Sequence, residues 1–404
     1  MIGIIGAGAA GLSAAISAAS AGADVTVLEK NPRAGRKLAA TGNGRCNLTN
    51  LFAAAEKYVS SSPAELQKAL DSLSPEGVRR FFASLGLPTR AEEEGRVYPC
   101  CGLAGAVVDV LRLAAAERGV VLRTDSSVKS VRPAKRGFSL LLENGDDLRF
   151  GKLVVAAGSG ASAKNGGSED GFKLLASLGH TILPISPALT PLCTETELIR
   201  PLKGIRADCG LSAYCGDSLL RFERGEALFT EYGLSGIAAM QLSTLIARTA
   251  APVTVSMDFF PDTTASDLLE NLKTRRADFP NRVLPEWTAG LLHRRIAEAL
   301  FKRSGLPLLG LSGDLSDGDL SSLASCMKAF SLRCTGVKPF EYAQATAGGA
   351  CLREFDPKTM ESLLIPGLYA AGEVLDAAGD CGGYNLHWAW VTGITAGRAS
   401  ASNV

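Results

Sequence analysis

This sequence is poor in the residues that bind metals. Only three of its 404 residues are histidine, and its ten cysteines never fall in a C-x-x-C arrangement. Zinc and iron–sulfur sites need clustered thiolates and imidazoles, so no metal centre is expected. An excess of one charge is also missing. There are 42 Lys and Arg against 41 Asp and Glu, a net charge of +1. Nor does the chain interleave basic with aromatic residues, so no nucleic-acid partner is expected. No run of about 20 apolar residues occurs, and hence no membrane span is expected. The apolar start is short and lacks a basic leader, which argues against a signal peptide. The cysteines are then expected to be reduced thiols of a cytoplasmic protein, mostly serving as small buried hydrophobes. Hydrophobic residues make up 46% and charged residues 21%, as in a globular enzyme. The length allows two or three domains.

What is present is concentrated in the first thirty residues. Ile2 to Ile5 is an apolar run that reads as a buried strand, followed at once by Gly6-Ala7-Gly8-Ala9-Ala10-Gly11. Leu12 to Ala21 is Ala-rich and reads as helix; Val25 to Leu28 is a second strand, ending in Glu29. Strand, G-x-G-x-x-G turn, helix, strand and acid form the dinucleotide fingerprint in its structural context. Gly6 permits the tight turn, Gly8 lets the backbone approach a pyrophosphate, and Gly11 lets helix and strand pack closely. The helix N-terminus offers N–H groups to phosphate, and Glu29 can accept hydrogen bonds from ribose hydroxyls.

Residues 31–50 lack periodicity and are rich in Gly, Asn, Thr and basic side chains. They read as a long loop lying against a ligand, with Arg33, Arg36, Lys37 and Arg45 near the proposed pyrophosphate. Helix is expected over 63–86, with Pro63 and Pro75 in first turns, and over 104–118. Asn144-Gly145 between two apolar runs signals a hairpin, and Lys152 to Val155 reads as a strand running through Ala157 into Gly158. A second glycine-rich loop, 158–171, lacks the G-x-G-x-x-G spacing. From Ile182 short alternating segments suit an inserted antiparallel sheet or small barrel. Helix is expected again over 264–303, with Asp262 and Thr263 as caps. The last segment returns to α/β texture. Gly367 to Glu373 reads as a strand entering a Gly372-Glu373 turn, and Gly382-Gly383-Tyr384-Asn385 opens a helix.

The segments GAGAAGLSAA, GRKLAATGNGRCNLTN, EYGLSGIAAMQLS and GLYAAGEVLDAAGDCGGYNLHWAWVTG together resemble an FAD-dependent oxidoreductase family. That family includes aminoacetone oxidase-type and bile-acid-pathway flavoproteins, and the resemblance spans essentially the whole chain. It implies an α/β fold: a two-segment Rossmann-like FAD-binding domain with an inserted β-rich domain and a helical subdomain. The expected FAD domain covers 1–189 and 341–404. The insert covers 190–262 and 326–340, and the helical subdomain 263–325. FAD would be held non-covalently by Gly6, Gly8, Ala9, Ala10 and Gly11, with Glu29 on the adenosine ribose. Lys30, Arg36, Lys37, Thr41, Gly42, Asn43 and Arg45 would line it, together with Ala157 and Gly158. Val128 would meet the adenine through its backbone, and Gly372 and Glu373 the ribityl chain. Asn385 and Leu386, at a helix start, would face the pyrimidine edge, where the reduced ring gains negative charge. One departure is Ile237, where the family has proline after Leu234-Ser235-Gly236.

Tyr384 and His387 flank that edge. Each is a candidate proton donor, and each is equally a packing residue of the helix start. Cys46 has no partner thiol nearby and reads as structural. His180, after Gly179, reads as a cap or surface residue. The expected activity is hydride transfer through flavin N5. It would serve an NAD(P)H-linked reductase or oxidase of a small or steroid-like substrate entering between the FAD domain and the insert. An amine oxidase using oxygen and a non-catalytic FAD-bearing accessory protein are the alternatives. With only one dinucleotide fingerprint, NAD(P)H would dock transiently over the flavin. Substrate identity and oligomeric state are left open.

Overall fold

Ile2–Ile5 is a strand with every residue buried, as an unbroken apolar run requires in a sheet covered on both faces. In the computed structural model, which describes residues 1–402, it is the central strand of a parallel five-stranded sheet. The spatial order is Leu368–Ala370, Lys152–Val155, Ile2–Ile5, Val25–Leu28 and Val121–Arg123. Ile4 stands opposite Val154 on one side and Val27 on the other. The edge strand Leu368–Ala370 comes from the far end of the sequence, so the sheet is built from two segments, as the fold class demands.

The first helix, Ala9–Ser20, packs against the C-terminal helix, Tyr384–Ala401. Small residues on both make the approach possible. A Cβ added at Gly393 would stand 2.4 Å from the Ala10 carbonyl oxygen, and one at Gly397 2.3 Å from that of Ala14. The backbones touch where those glycines lie. Val128–Ala134, Gly137–Leu142 and Asp147–Phe150 form a three-stranded antiparallel sheet. Its second turn carries Gly145 at φ +93°, the left-handed backbone that an Asn-Gly hairpin needs.

The chain divides into two compact units, residues 1–188 with 340–404, and residues 189–339. The second unit holds a closed six-stranded barrel. Its order is Leu192–Thr194, Gly233–Ser235, Ser218–Phe229, Arg206–Cys215, Val253–Asp258 and Phe330–Val337. It closes where Leu192 pairs with Val337. Helices Ala265–Asp278, Leu284–Trp287, Arg294–Arg303 and Asp317–Lys328 follow the fifth strand, and Trp287, Leu300, Phe301 and Leu320 share one core with the barrel. Ile237 is the first residue of helix Ile237–Ile246, just after Gly236 at φ +93°. First-turn positions have no intrahelical N–H bond to lose, so proline and isoleucine are both accommodated there.

Several local expectations need correction. The two first-turn prolines expected in 63–86 each open a helix, Pro63–Leu70 and Pro75–Ser84, but the stretch is broken between them. The stretch 264–303 is three helices, interrupted at Pro280 and at Gly290, whose φ is +84°. The cap of Ala265–Asp278 is Thr264, whose hydroxyl accepts from the Asp267 N–H at 3.1 Å. Asp262 is instead paired with Arg224. The segments expected to be short after Ile182 include one twelve-residue strand, Ser218–Phe229. His180 is buried rather than superficial. Its Nδ1 is 2.9 Å from Glu354 Oε2, its Nε2 is 3.0 Å from Ser362 Oγ, and its ring stacks on Phe355.

Candidate functional site

The glycine turn after the first strand is shaped by contacts that only glycine allows. Gly6 has φ +100°, and a Cβ there would lie 2.5 Å from the Ala156 carbonyl oxygen. A Cβ on Gly11 would lie 1.8 Å from the Gly6 carbonyl oxygen. Gly8 is different, because nothing lies within 4 Å of the space its Cβ would fill. The tight contacts set the turn, and Gly8 keeps open the space above it. Helix Ala9–Ser20 starts there with no side-chain cap. Its first N–H groups, around Ala9, Ala10 and Gly11, are the partners that a phosphate takes.

Glu29 is fixed beside this turn and is 7% exposed. Its Oε2 accepts from the Ala7 N–H at 2.8 Å, and its Oε1 from Asn31 N–H at 2.8 Å and Asn31 Nδ2 at 2.6 Å. A carboxylate has about four acceptor positions, so with three taken capacity for one ribose hydroxyl is left. The Ser126 N–H donates to the Glu29 carbonyl at 2.9 Å, which brings the start of strand Val128–Ala134 alongside. That strand is an edge strand, paired only with Gly137–Leu142, so Val128 keeps one backbone edge free of strand pairing.

The basic residues of the long loop are mostly engaged with protein. Lys30 pairs with Asp170 at 3.3 Å. Arg36 donates to Asn31 Oδ1 and to the Lys164 carbonyl, each at 3.1 Å. The second glycine-rich loop, which carries Lys164 and Asp170, is therefore tied to the first. Ala157 and Gly158 lead into it, with Gly158 at φ +72°. Lys37 pairs with Glu373, whose other oxygen accepts from the Thr346 N–H at 3.0 Å. Thr41 caps its own turn through the Leu38 carbonyl at 2.7 Å. Gly42 and Asn43 have φ of +57° and +53° and are surface-facing. Arg45 pairs with Glu92 at 2.6 Å and lies over the Tyr98 ring at 4.1 Å.

The far end is built by the C-terminal helix. Gly372 has φ +78°; its N–H donates to Thr392 Oγ1 at 2.9 Å, and its carbonyl accepts from Trp388 Nε1 at 3.1 Å. Gly383, at φ +99°, caps Tyr384–Ala401 without a side-chain cap bond, so no side chain takes up the first N–H groups. Half-buried Leu386 follows in that first turn. Asn385 offers only its backbone, because its side chain bonds both the N–H and the carbonyl of Gly379, at 2.9 and 2.7 Å.

The two candidate proton donors have distinct environments. His387 is 1% exposed, with Nδ1 2.8 Å from Thr49 Oγ1. Burial pushes its pKa down to about 4, so the ring is neutral near pH 7 and cannot serve as an imidazolium acid. Tyr384 is also buried. Burial, reinforced by Asp380, raises its pKa, so the phenol keeps its proton. Tyr58 braces it, donating to the Tyr384 carbonyl at 2.8 Å. Cys46 is buried, and burial pushes its thiol up to about 12, which suits packing rather than redox exchange.

FAD fits these residues. An open glycine cradle at an uncapped helix end suits its pyrophosphate, and a fixed carboxylate suits its ribose. A second uncapped helix end suits the pyrimidine side of its ring. A parallel Rossmann-like sheet carrying such a site is the architecture of a flavin-dependent oxidoreductase. The chain belongs to the HI0933-like family, whose Rossmann-domain description matches residues 1–399. It is 34% identical to the 3-dehydro-bile acid delta(4,6)-reductase of Clostridium scindens, over 99% of this chain and 98% of that one. It is 32% identical to the ribosomal RNA dihydrouridine synthase of Escherichia coli, over 96% of this chain and 94% of that one. Among solved structures, 3-ketosteroid delta1-dehydrogenase from Sterolibacterium denitrificans superposes with a TM-score of 0.52 and 14% identity. That match covers 100% of this chain and 99% of the other, and at such low identity it speaks to the fold alone.

Proposed function

We propose that this protein is an FAD-dependent reductase of a carbon–carbon double bond conjugated to a carbonyl, acting on a small steroid-like molecule. The observation that carries this is the near-complete alignment with the bile-acid reductase. The chemistry of the second relative agrees, because making dihydrouridine also saturates a double bond conjugated to a carbonyl. Both reactions need a hydride at one carbon and a proton at the other, and bound FAD, once reduced by a nicotinamide, would supply the hydride.

The chain's own residues do the rest. Gly6, Gly8 and Gly11 admit the pyrophosphate, and Glu29 orients the ribose. The Lys37–Glu373 pair places a carboxylate beside the ribityl chain. The open N-terminus of helix Tyr384–Ala401 favours negative charge on the pyrimidine side of the ring. Tyr384, protonated and braced by Tyr58, delivers the proton. A nicotinamide acts as transient reductant and leaves before the substrate enters, which gives ping-pong kinetics.

A structured RNA substrate is the second reading, favoured by the 32% identity to the ribosomal RNA enzyme. The net charge of +1 weighs against it, because RNA binding draws most of its affinity from phosphate contacts. Anaerobic half-reactions separate the possibilities. The flavin is reduced with NADH or NADPH, and the reduced protein is then mixed with a 3-oxo-Δ4 steroid, a ribosomal RNA transcript or buffer. Fast reoxidation by the steroid supports the reading. Reoxidation by the RNA alone transfers the assignment to the second reading. Flavin bleaching by a primary amine, with no response to either acceptor, would point to an amine oxidase and overturn both.

A further inference from the structure

Asn47 has a polar group with nothing to bond. It lies between the turn Thr41–Gly44 and the short strand Thr49–Asn50. The residue is 8% exposed, and its Oδ1 is fully buried with no hydrogen-bond partner among the described residues. The polar side chains around it are satisfied. Thr49 bonds His387, Asn50 donates to the Glu94 and Gly382 carbonyls, and Asn385 is held by Gly379.

Its position is tightly fixed. A Cβ at Gly383 would stand 2.7 Å from Asn47 Oδ1, and a Cβ at Gly42 would stand 2.9 Å from the Asn47 backbone nitrogen. Asn47 is therefore held by its backbone against the surface-facing 41–44 turn and by its Oδ1 against the uncapped N-terminus of the 18-residue helix Tyr384–Ala401. Two sets of unmatched groups meet here: N–H donors at the helix end, and one carbonyl acceptor on Asn47.

We propose that Asn47 accepts the hydrogen bond of the flavin N3–H and so positions the pyrimidine ring, an inference that rests on FAD being the bound cofactor. The edge of the oxidised ring presents two carbonyl acceptors with a single N–H, N3–H, between them. Helix N–H groups complement a ring carbonyl. The orphaned Oδ1 beside them complements the one donor that the ring has. A buried acceptor left unsatisfied costs the apoprotein stability, and a ligand N–H removes that cost on binding.

The test measures binding of FAD and of N3-methyl-FAD to apoprotein, with the melting temperature and the flavin midpoint potential as further readouts. The parent should bind N3-methyl-FAD about tenfold more weakly than FAD, the loss of one buried hydrogen bond. Asn47→Leu has similar volume and no polar group. Its apoprotein should melt no lower than the parent, yet it should bind FAD about tenfold more weakly and no longer distinguish the two flavins. Asn47→Asp keeps an acceptor, so it should retain FAD and lower the midpoint potential, because its negative charge opposes the charge gained on reduction. Equal binding of both flavins by the parent would overturn the proposal, whatever the variants do. So would unchanged FAD affinity and potential in a folded Asn47→Leu. A parent protein that cannot be reconstituted with FAD would overturn both this and the cofactor assignment beneath it.

Discussion

The same substitution, glycine to alanine, should have opposite effects at two helical positions of this protein. Gly105 lies on the exposed side of helix Ala104–Glu117, and nothing stands within 4 Å of where its Cβ would go. Alanine there gains only helix propensity, about 0.5–1 kcal/mol. Gly397 lies in helix Tyr384–Ala401, where the new Cβ would be 2.3 Å from the Ala14 carbonyl oxygen and 2.8 Å from Ala14 Cα. Both are backbone atoms, so no rotamer change relieves the clash. The helices must separate by about 1 Å, which opens gaps along Ala10, Ala14 and Ser13. Overpacking of this kind costs about 1–3 kcal/mol, and a backbone obstacle places it near the top of that range. Subtracting about 1 kcal/mol of propensity leaves a net loss of about 2 kcal/mol. Urea unfolding of each variant, followed through tryptophan fluorescence, measures this. Trp388 and Trp390, both fully buried, lie on the same C-terminal helix and report its release. A Gly397→Ala protein with a midpoint at or above that of Gly105→Ala would refute the close-packing argument.

Glu29→Gln should weaken FAD binding roughly tenfold through the loss of charge-assisted bonds to the ribose; titration of apoprotein checks this, and unchanged affinity would remove Glu29 from the site. Tyr384→Phe should slow reoxidation by an enone by about 10²–10⁴, the usual worth of a general acid, while reduction by NAD(P)H keeps its rate; equal slowing of both halves would mark Tyr384 as a packing residue. His387 should make stability depend on pH. Its folded pKa of about 4 lies below the ordinary 6.5, so the unfolded chain takes up its proton first. Its contribution is complete above about pH 6.5 and is lost as the pH falls towards 4, about 3 kcal/mol in all. The difference between the unfolding free energies of the parent and of His387→Gln, followed across that window, isolates the effect; a flat difference would show that the imidazole is not buried in the neutral form.

Elements with a local cause were legible in the sequence, whereas contacts between distant segments were not. The first strand, turn and helix follow from an apolar run, three glycines and an alanine-rich stretch, all within twenty residues. The Asn144-Gly145 hairpin follows from two adjacent residues, because only a turn of positive φ joins strands of that twist. The two-segment α/β fold with its β-rich insert came with the family resemblance, and the return of strand-glycine-acid texture at Leu368 agrees with it. The caps were placed one and two residues early, because Asp262 and Thr263 have the same local chemistry as Thr264, and the competing Arg224 lies elsewhere in the sequence. Closure of the barrel depends on Leu192 meeting Val337, and no periodicity within either strand encodes that pairing. The candidate site divides in the same way. Lys37 and Arg45 look alike in the basic loop, yet one faces Glu373 and the other Glu92 and Tyr98. A guanidinium or ammonium takes its role from the acid that folding brings to it. The same holds for Asn385 and Asn47. The conspicuous asparagine, at the opening of the helix, spends its amide on Gly379, while the inconspicuous one within the loop keeps a buried carbonyl with no protein partner. Residue type and spacing identify groups able to bond. Which of them remain free for a ligand is decided by what the fold has already satisfied.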